Sequence, residues 1–219
     1  MVYGKEINFT TLCIAPTAIT NAATSLDNTT ASSNGTVNTN GCNTEVIFQY
    51  GLTSSYGFEE FAIQNPVSGS GSTEVSAAIT ELKSGQTYHF RVKASSAGGT
   101  IYGSDLIFTT TINDKDGNEY TAVPIGTQVW MVENLKTTKY KDGTVIPLVT
   151  SNSSWISLST PGYFWYNNDA VSYKNTFGAL YNWYTVNTNE LCPLGWHVPT
   201  DAEWTVLIDH LDGHEVAWC

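Results

Sequence analysis

The chain has 219 residues, a length that allows two domains of ordinary size, each with its own core. Its net charge of −11 comes from 20 acidic and 9 basic residues, and Arg91 is the only arginine. Because nucleic-acid binding draws on clustered Lys and Arg, this balance argues against nucleic acid and anionic membranes as partners. No apolar run is long enough to span a bilayer, so we expect no membrane span.

Tryptophan is confined to one part of the sequence, since all seven residues lie between Trp130 and Trp218. The first half is rich in Thr, Ser, Asn and Ala instead. We therefore expect two modules, with the second beginning near Ile112.

The N-terminal residues 2–11 match residues 101–110 without a gap. Because the second copy ends a predicted β domain, we expect residues 1–11 to be the last strand of a preceding domain of the same kind. The sequence would then be a piece of a longer protein, and the lack of a signal peptide at Met1 would say little about its location.

Residues 12–111 contain short runs of β-forming residues separated by Gly, Ser and Asn clusters, which predict a β-sandwich. The predicted strands cover residues 14–24, 36–38, 45–50, 74–79, 87–94 and 101–109. Leu82, a turn at Gly85 and the alternation of Tyr88, Phe90 and Val92 resemble the tyrosine corner and sixth strand of a fibronectin type III domain. Domains of that family serve as spacers or protein-binding units, so the resemblance implies a fold rather than a role.

Two cysteines belong to this domain. Cys13 precedes the first strand and Cys42 lies in the loop before the third, which is the same end of such a sandwich. We favour a disulfide over two buried thiols, because the module has the character of a secreted domain. Cys192 and Cys219 have no His or Cys at metal-ligand spacing, so we predict no metal site and no cofactor.

The second module opens with Asp114, Asp116 and Asn118 in alternation, like half of a calcium loop. It lacks the bidentate acidic residue that should follow. A hairpin turn at Asp116-Gly117, leading into strands over residues 119–123 and 126–132, is the preferred interpretation.

Near the end of the chain, Thr200 and Glu203 have the spacing of a capping box and predict the start of a helix. Gly213 is placed to end it. An apolar stripe on this helix should dock on the module. It consists of Trp204, Leu207, Ile208 and Leu211.

Several segments of this module resemble, in order, the Fibrobacter succinogenes major paralogous domain. The matching segments are 116–120, 125–135, 138–140, 165–169, 178–184 and 192–204. The resemblance implies a secreted or surface-attached modular bacterial protein whose biochemical role is not established. Residues 199–204 also resemble the C-type-lectin-like fold shared with sulfatase-modifying enzymes.

Complete members of that family continue beyond the capped helix, so the resemblance implies that residues 112–219 form a truncated module with exposed apolar edges. The fold class expected for the whole chain is mainly β. It comprises a fibronectin type III-like β-sandwich followed by an incomplete α+β C-type-lectin-like module.

Aromatic side chains mixed with amide and carboxylate groups, the combination that sugar rings prefer, mark a candidate ligand-binding cluster. The cluster consists of Trp155, Tyr163, Trp165, Tyr166, Asn167 and Asp169. Packing in the core is an equally good explanation of residues 163–169. We expect Trp183, Trp196 and Trp204 to lie in the core.

No catalytic residue is predicted, because no motif places a nucleophile near His197. The preferred hypothesis is a non-catalytic extracellular or cell-surface adhesion or binding component, with a polysaccharide or a surface protein as partner. A purely structural spacer that displays protein-binding surfaces is the alternative. A sulfatase-modifying type of enzyme ranks last, and the sequence does not define the oligomeric state.

Overall fold

A computed structural model of the chain describes residues 12–211 and residue 213. The expected strand over residues 1–11 and Cys219 lie outside these residues. The structure is mainly β, with several antiparallel sheets and few helices. It divides into two compact units. The first contains the described residues up to Leu26, Thr30–Glu81 and Thr87–Thr109, and the second contains Asp27–Thr29, Leu82–Gln86 and the described residues from Thr110 onward.

From residue 12 onward, the first unit consists of two antiparallel sheets. Its eight strands are β1 Thr17–Thr24, β2 Ala31–Asn38, β3 Glu45–Gly51, β4 Phe58–Phe61, β5 Ser72–Ile79, β6 Thr87–Ser96, β7 Gly99–Tyr102 and β8 Leu106–Thr109. One sheet has the order β1-β2-β5. The other has the order β4-β3-β6-β7, and β8 pairs with β6 beyond the end of β7.

The core of this unit follows from alternation along its strands. In β6, Tyr88, Phe90, Val92 and Ala94 are buried, and the residues between them are more exposed. Successive side chains of a strand point to opposite faces, so this alternation defines one inward face. The predicted pattern of the sixth strand is confirmed.

Two strand predictions need correction. The run over residues 101–109 forms two strands, which pair with different parts of β6, and between them the backbone at Gly103 lies so close to Thr20 and Val92 that a Cβ would clash. Strand β4 was not predicted at all. All four of its residues are exposed, so it has no alternation for a sequence pattern to detect.

Cys13 and Cys42 form a disulfide, with Cα atoms 5.8 Å apart and a sequence separation of 29. The bridge ties the segment that leads into β1 to the loop before β3. This is the pairing that the sequence predicts.

The second unit has smaller sheets and short helices. Its strands form two antiparallel hairpins, β9 Ala122–Ile125 with β10 Gln128–Met131, and β11 Tyr163–Trp165 with β12 Ala179–Tyr181. Its helices are α1 Asn152–Ile156, α2 Ala170–Phe177, α3 Trp183–Val186 and α4 Asp201–His210, and a 3₁₀ turn covers Tyr166–Asn168. A buried cluster lies around the second hairpin and consists of Ile146, Tyr163, Trp165, Ala179 and Leu191.

Helix α4 begins at the predicted capping box. The Thr200 hydroxyl accepts the Glu203 N–H, and the Glu203 carboxylate accepts the Thr200 N–H at 2.8 Å and lies 2.8 Å from His197 Nε2. At the other end, the N–H of Gly213, whose φ is +82°, donates to the Ile208 carbonyl. The predicted start of the helix is confirmed.

The apolar stripe of α4 is less buried than expected. Only Leu207 is fully buried, and Trp204 retains 48% of its exposure while its ring packs against Trp130 at a centroid distance of 4.9 Å. The expectation that Trp204 lies in the core is wrong. Of the residues in the stripe, it is Leu207 that buries its side chain against the unit.

Loss of the disulfide should destabilise the first unit. Replacing Cys13 and Cys42 together by Ala should lower its free energy of unfolding by about 3 to 4 kcal/mol, because an open chain gains conformational entropy when unfolded. Circular dichroism during urea unfolding of the full chain measures this change. Cys192→Ala is the control, since Cys192 is a free thiol. A double variant with the midpoint of the parent protein would contradict the prediction.

The capping box should make α4 sensitive to acid. Hydrogen bonds from the backbone and side chain of Thr200, and then from His197, lower the pKa of Glu203 to about 2. The pKa in the unfolded chain is higher, about 4.3, so the box stabilises the folded state above that pH and its contribution is lost as pH falls toward 2.

The measurement is urea unfolding, followed by tryptophan fluorescence, of the parent and Glu203→Gln between pH 5 and pH 2. The stability difference between the two proteins should shrink steadily toward the acid end. Glu119→Gln, which removes an exposed carboxylate, is the control. A difference that stays constant over this range would show that the Glu203 charge does not support the helix.

Candidate binding site

The loop that resembles half of a calcium site is a hairpin turn closed by protein donors. One oxygen of Asp114 accepts the N–H groups of Asp116 and Asn118, both at 2.9 Å. The other accepts the Asn118 amide at 2.7 Å and the Tyr120 hydroxyl at 2.6 Å. Asn113 and Glu119 pair as an antiparallel bridge across the turn. The predicted turn is confirmed, but the strand that follows it begins at Ala122 rather than at residue 119.

Asp116, on the same turn, fixes the segment that follows the first hairpin. Its carboxylate accepts the N–H and hydroxyl of Thr138 and lies 3.3 Å from Lys139 Nζ. Burial alone would raise the pKa of Asp116, but these hydrogen bonds outweigh it and hold the pKa below its ordinary value. Within residues 12–211 and 213, no group of three or more His, Cys, Asp or Glu side chains is arranged to hold a metal ion.

The structure separates the members of the predicted aromatic cluster. Tyr163 and Trp165 point into the core and are only 6% and 7% exposed. The ring of Trp165 is also approached by Lys174, whose Nζ lies 5.9 Å from its centroid. These two residues therefore pack the unit rather than face a ligand, which corrects their assignment to the binding surface.

Trp155 lies elsewhere. It is half-buried on α1 and packs edge-on against Phe164 at a centroid distance of 4.5 Å. Phe164 occupies the face of β11 opposite to Tyr163 and Trp165, as alternation along a strand requires. Trp155 thus extends the other side of the hairpin and is not brought to Tyr166.

The last three predicted residues remain near the surface, in the turn after β11. Tyr166 is 46% exposed, and Asn167 is exposed in the left-handed region with φ +52°. The Asp169 carboxylate accepts the Ser172 N–H at 3.0 Å and so caps helix α2. Of these three, Tyr166 and Asn167 have groups available to a ligand.

Tyr166 belongs to a cluster of three aromatic rings that the sequence interpretation missed. Its ring lies 5.1 Å from those of both Tyr173 and Phe177, which are themselves 5.7 Å apart. Phe177 is 46% exposed, and Tyr173 is half-buried. A usable signal was present, since Asp169 caps a helix on which Tyr173 and Phe177 are four residues apart and share a face. We call these three residues the aromatic triad.

A second exposed aromatic pair lies at the other end of the β11–β12 hairpin. Trp183 is 66% exposed and packs edge-on against Tyr184 on helix α3. The expectation that Trp183 lies in the core is wrong. Its neighbour Thr185 is the buried residue of this helix and bonds to the backbone of Gly162, which leaves Trp183 on the outer side.

The second unit also contains a cavity of about 140 Å³, formed entirely by its own residues. Two of its lysines are paired, Lys139 with Asp116 and Lys141 with Glu190 at 3.1 Å. Cys192 also lines it, and burial raises the pKa of this thiol to about 11. The thiol is therefore protonated at neutral pH, which does not suit a nucleophile.

The comparisons with known proteins concern parts of the chain. Residues 123–218 match the Fibrobacter succinogenes major domain. This match supports the domain that the sequence motifs indicate. The comparison with curated proteins gave no match.

Three solved structures of the sensor domain of the anti-sigma factor RsgI4 from Pseudobacteroides cellulosolvens are similar to part of the chain. A short form of that domain is 22% identical, with a TM-score of 0.32 over 44% of this chain and 94% of that one. The solution structure is 24% identical, with a TM-score of 0.35 over 43% and 74%. A long form is 25% identical, with a TM-score of 0.32 over 43% and 88%. At such TM-scores the similarity defines neither fold nor function for this chain.

Helices of the described residues are all too short or too polar to cross a membrane.

The turn at Asp114 should be essential for the second unit. Asp114→Asn replaces one acceptor oxygen by an NH₂ donor that faces other donors, and it should lower the free energy of unfolding by about 2 to 3 kcal/mol. Tryptophan fluorescence during urea unfolding reports on this unit, since all seven Trp residues lie between Trp130 and Trp218. The matched control is Asp209→Asn on the exposed side of α4. Equal midpoints for the two variants would contradict the prediction.

Proposed function

We propose that this chain is a non-catalytic extracellular or cell-surface binding component that recognises polysaccharide through the aromatic triad of its second unit. The observation that carries the proposal is the exposed arrangement of Tyr166 and Phe177 around Tyr173, with the exposed Asn167 next to Tyr166 in the chain. Aromatic faces stack on the apolar faces of sugar rings, and amide groups hydrogen-bond to their hydroxyls.

The proposal assigns a fold to each unit. The orders β1-β2-β5 and β4-β3-β6-β7, with Tyr88 buried on β6, support a fibronectin type III-like sandwich over residues 12–111. The family match over residues 123–218 and the capping box at Thr200 support a C-type-lectin-like module in the rest of the chain. The boundary at 111/112 remains our assignment.

The extracellular location is supported by the disulfide between Cys13 and Cys42. Such bridges form and persist in oxidising compartments and are rare in the cytosol. The family resemblance of the second unit, which implies surface-attached modular proteins, favours the same location.

A non-catalytic role is supported by the state of the two side chains best suited to chemistry. His197 is held by Glu203 in the capping arrangement, with Nε2 2.8 Å from the carboxylate. The Cys192 thiol is held protonated by burial. The thiol is therefore not an activated nucleophile, and within the described residues no hydrogen bond joins His197 to a Ser or Cys side chain that it could activate.

The triad predicts the effect of single substitutions. Tyr166→Ala or Phe177→Ala should weaken polysaccharide binding by about tenfold or more, since truncating an aromatic anchor typically costs more than 1 kcal/mol. Pull-down of the full chain on microcrystalline cellulose and insoluble xylan, with a glycan array for soluble oligosaccharides, measures binding. Circular dichroism confirms the fold of each variant.

Trp183→Ala is the matched control, because Trp183 is an exposed aromatic residue at the far end of the same hairpin. It should bind as the parent does. An equal loss of polysaccharide binding in all three variants would show that the triad is not the binding site. Failure of the folded parent to bind any of these probes would favour the spacer hypothesis instead.

A further inference from the structure

The only arginine of the chain is clamped on the surface of the first unit. Arg91 lies on β6 between the inward-facing Phe90 and Val92, so its side chain points outward. Its Cζ lies 4.5 Å from the ring centroid of Tyr56 and 4.1 Å from that of Tyr102. Two rings within this distance attract the cation and restrict the guanidinium group.

A hydrogen bond further fixes the orientation of the group. Arg91 Nε donates to Gln49 Oε1 at 2.9 Å, directly across the β3–β6 register. Gln49 in turn donates to Glu59 at 2.7 Å. Within the described part of the chain, the two terminal nitrogens of Arg91 have no hydrogen-bond partner. The terminal N–H groups of Arg91 are therefore available to a ligand, while its Nε is held by Gln49.

The neighbouring cations form ion pairs, whereas Arg91 lies beyond ion-pair distance of a carboxylate and only contributes, after burial and the hydrogen bonds from His89 and Tyr56, to the lowered pKa of Asp105. Lys93 lies 3.2 Å from Glu59, and His89 lies 2.8 Å from Asp105, which also accepts the Tyr56 hydroxyl. None of the described carboxylates is within ion-pair distance of the Arg91 guanidinium. A fixed guanidinium with free terminal donors matches the two oxygens of a carboxylate, which it can bind through two parallel hydrogen bonds.

We infer that Arg91, Tyr56 and Tyr102 form a carboxylate-binding site on the outer face of the five-stranded sheet, and that its ligand is a uronic acid unit of a glycan. The rings beside the guanidinium favour a ring-shaped ligand over an extended acidic peptide, and Tyr102 is 46% exposed. The net charge of −11 disfavours densely charged polyanions, so a short uronate is the best match. This site is independent of the aromatic triad.

The test compares trigalacturonate with its methyl ester, which keeps the sugar rings but removes the charges. Titration of the full chain by isothermal calorimetry or NMR should show that the acid binds. The affinity for the ester should be lower by about tenfold or more. Because both ligands meet the same unmodified protein, this comparison does not depend on any variant folding. Equal affinity for acid and ester would overturn the inference.

Substitutions then locate the site. Arg91→Gln should weaken trigalacturonate binding by about tenfold or more, and Arg91→Lys, which keeps the charge but loses the paired donors, by about fivefold. Lys115→Gln removes an exposed positive charge from the second unit and should bind as the parent does. Trp183→Ala, which removes an exposed aromatic residue that lies outside both proposed sites, should also bind as the parent does.

Two results would overturn the inference. One is a folded Arg91→Gln variant that binds trigalacturonate with the affinity of the parent. The other is a parent protein that binds a glutamate-containing tripeptide, with dependence on Arg91, but does not bind trigalacturonate. That second result would support a carboxylate-binding site but would show that its ligand is not a uronic acid.

Discussion

The second unit depends on the hydrogen bonds that the Asp114 carboxylate accepts. In its described residues this unit has only two short hairpins and four short helices, so regular backbone pairing cannot hold it together alone. Asp114 collects four donors, and the Tyr120 hydroxyl that donates to it also accepts the N–H of Lys136. Burial, followed by that hydrogen bond to Asp114, raises the pKa of Tyr120 well above its ordinary range, so the phenol stays protonated as a donor. This loop has the composition of a metal site, but its Asp114 carboxylate accepts hydrogen bonds from the backbone and side chains of the loop itself.

Local signals in the sequence predicted the local structure well. The capping box at Thr200, the alternation in β6 and the turn at Asp116 each depend on residues close together in the chain, and the structure has all three. Features set by distant contacts were harder to foresee. Tyr163 and Tyr166 lie three residues apart with the same side chain, yet one is in the core and the other is at the surface. The strand ends between them, and no pattern marks that point.

The two units present aromatic rings in different chemical settings. In the second unit Tyr166, Tyr173 and Phe177 pack on one another, and the exposed Asn167 follows Tyr166 in the chain. In the first unit Tyr56 and Tyr102 pack on a guanidinium group instead. The first arrangement suits uncharged rings, and the second suits a ring with a negative substituent. The chain would then bind the uncharged and the acidic units of a mixed glycan at two separate sites.

Strand β4 has a consequence for how such chains fold. It is an exposed edge of its sheet, and between Phe58 and Phe61 it carries two glutamates. A bare apolar edge invites pairing with a strand of another molecule, whereas adjacent negative charges repel a second copy of themselves. Chains with several similar β domains in a row are prone to exchange strands between neighbours during folding. Glu59 and Glu60 would therefore disfavour pairing of β4 with the same strand of a similar domain.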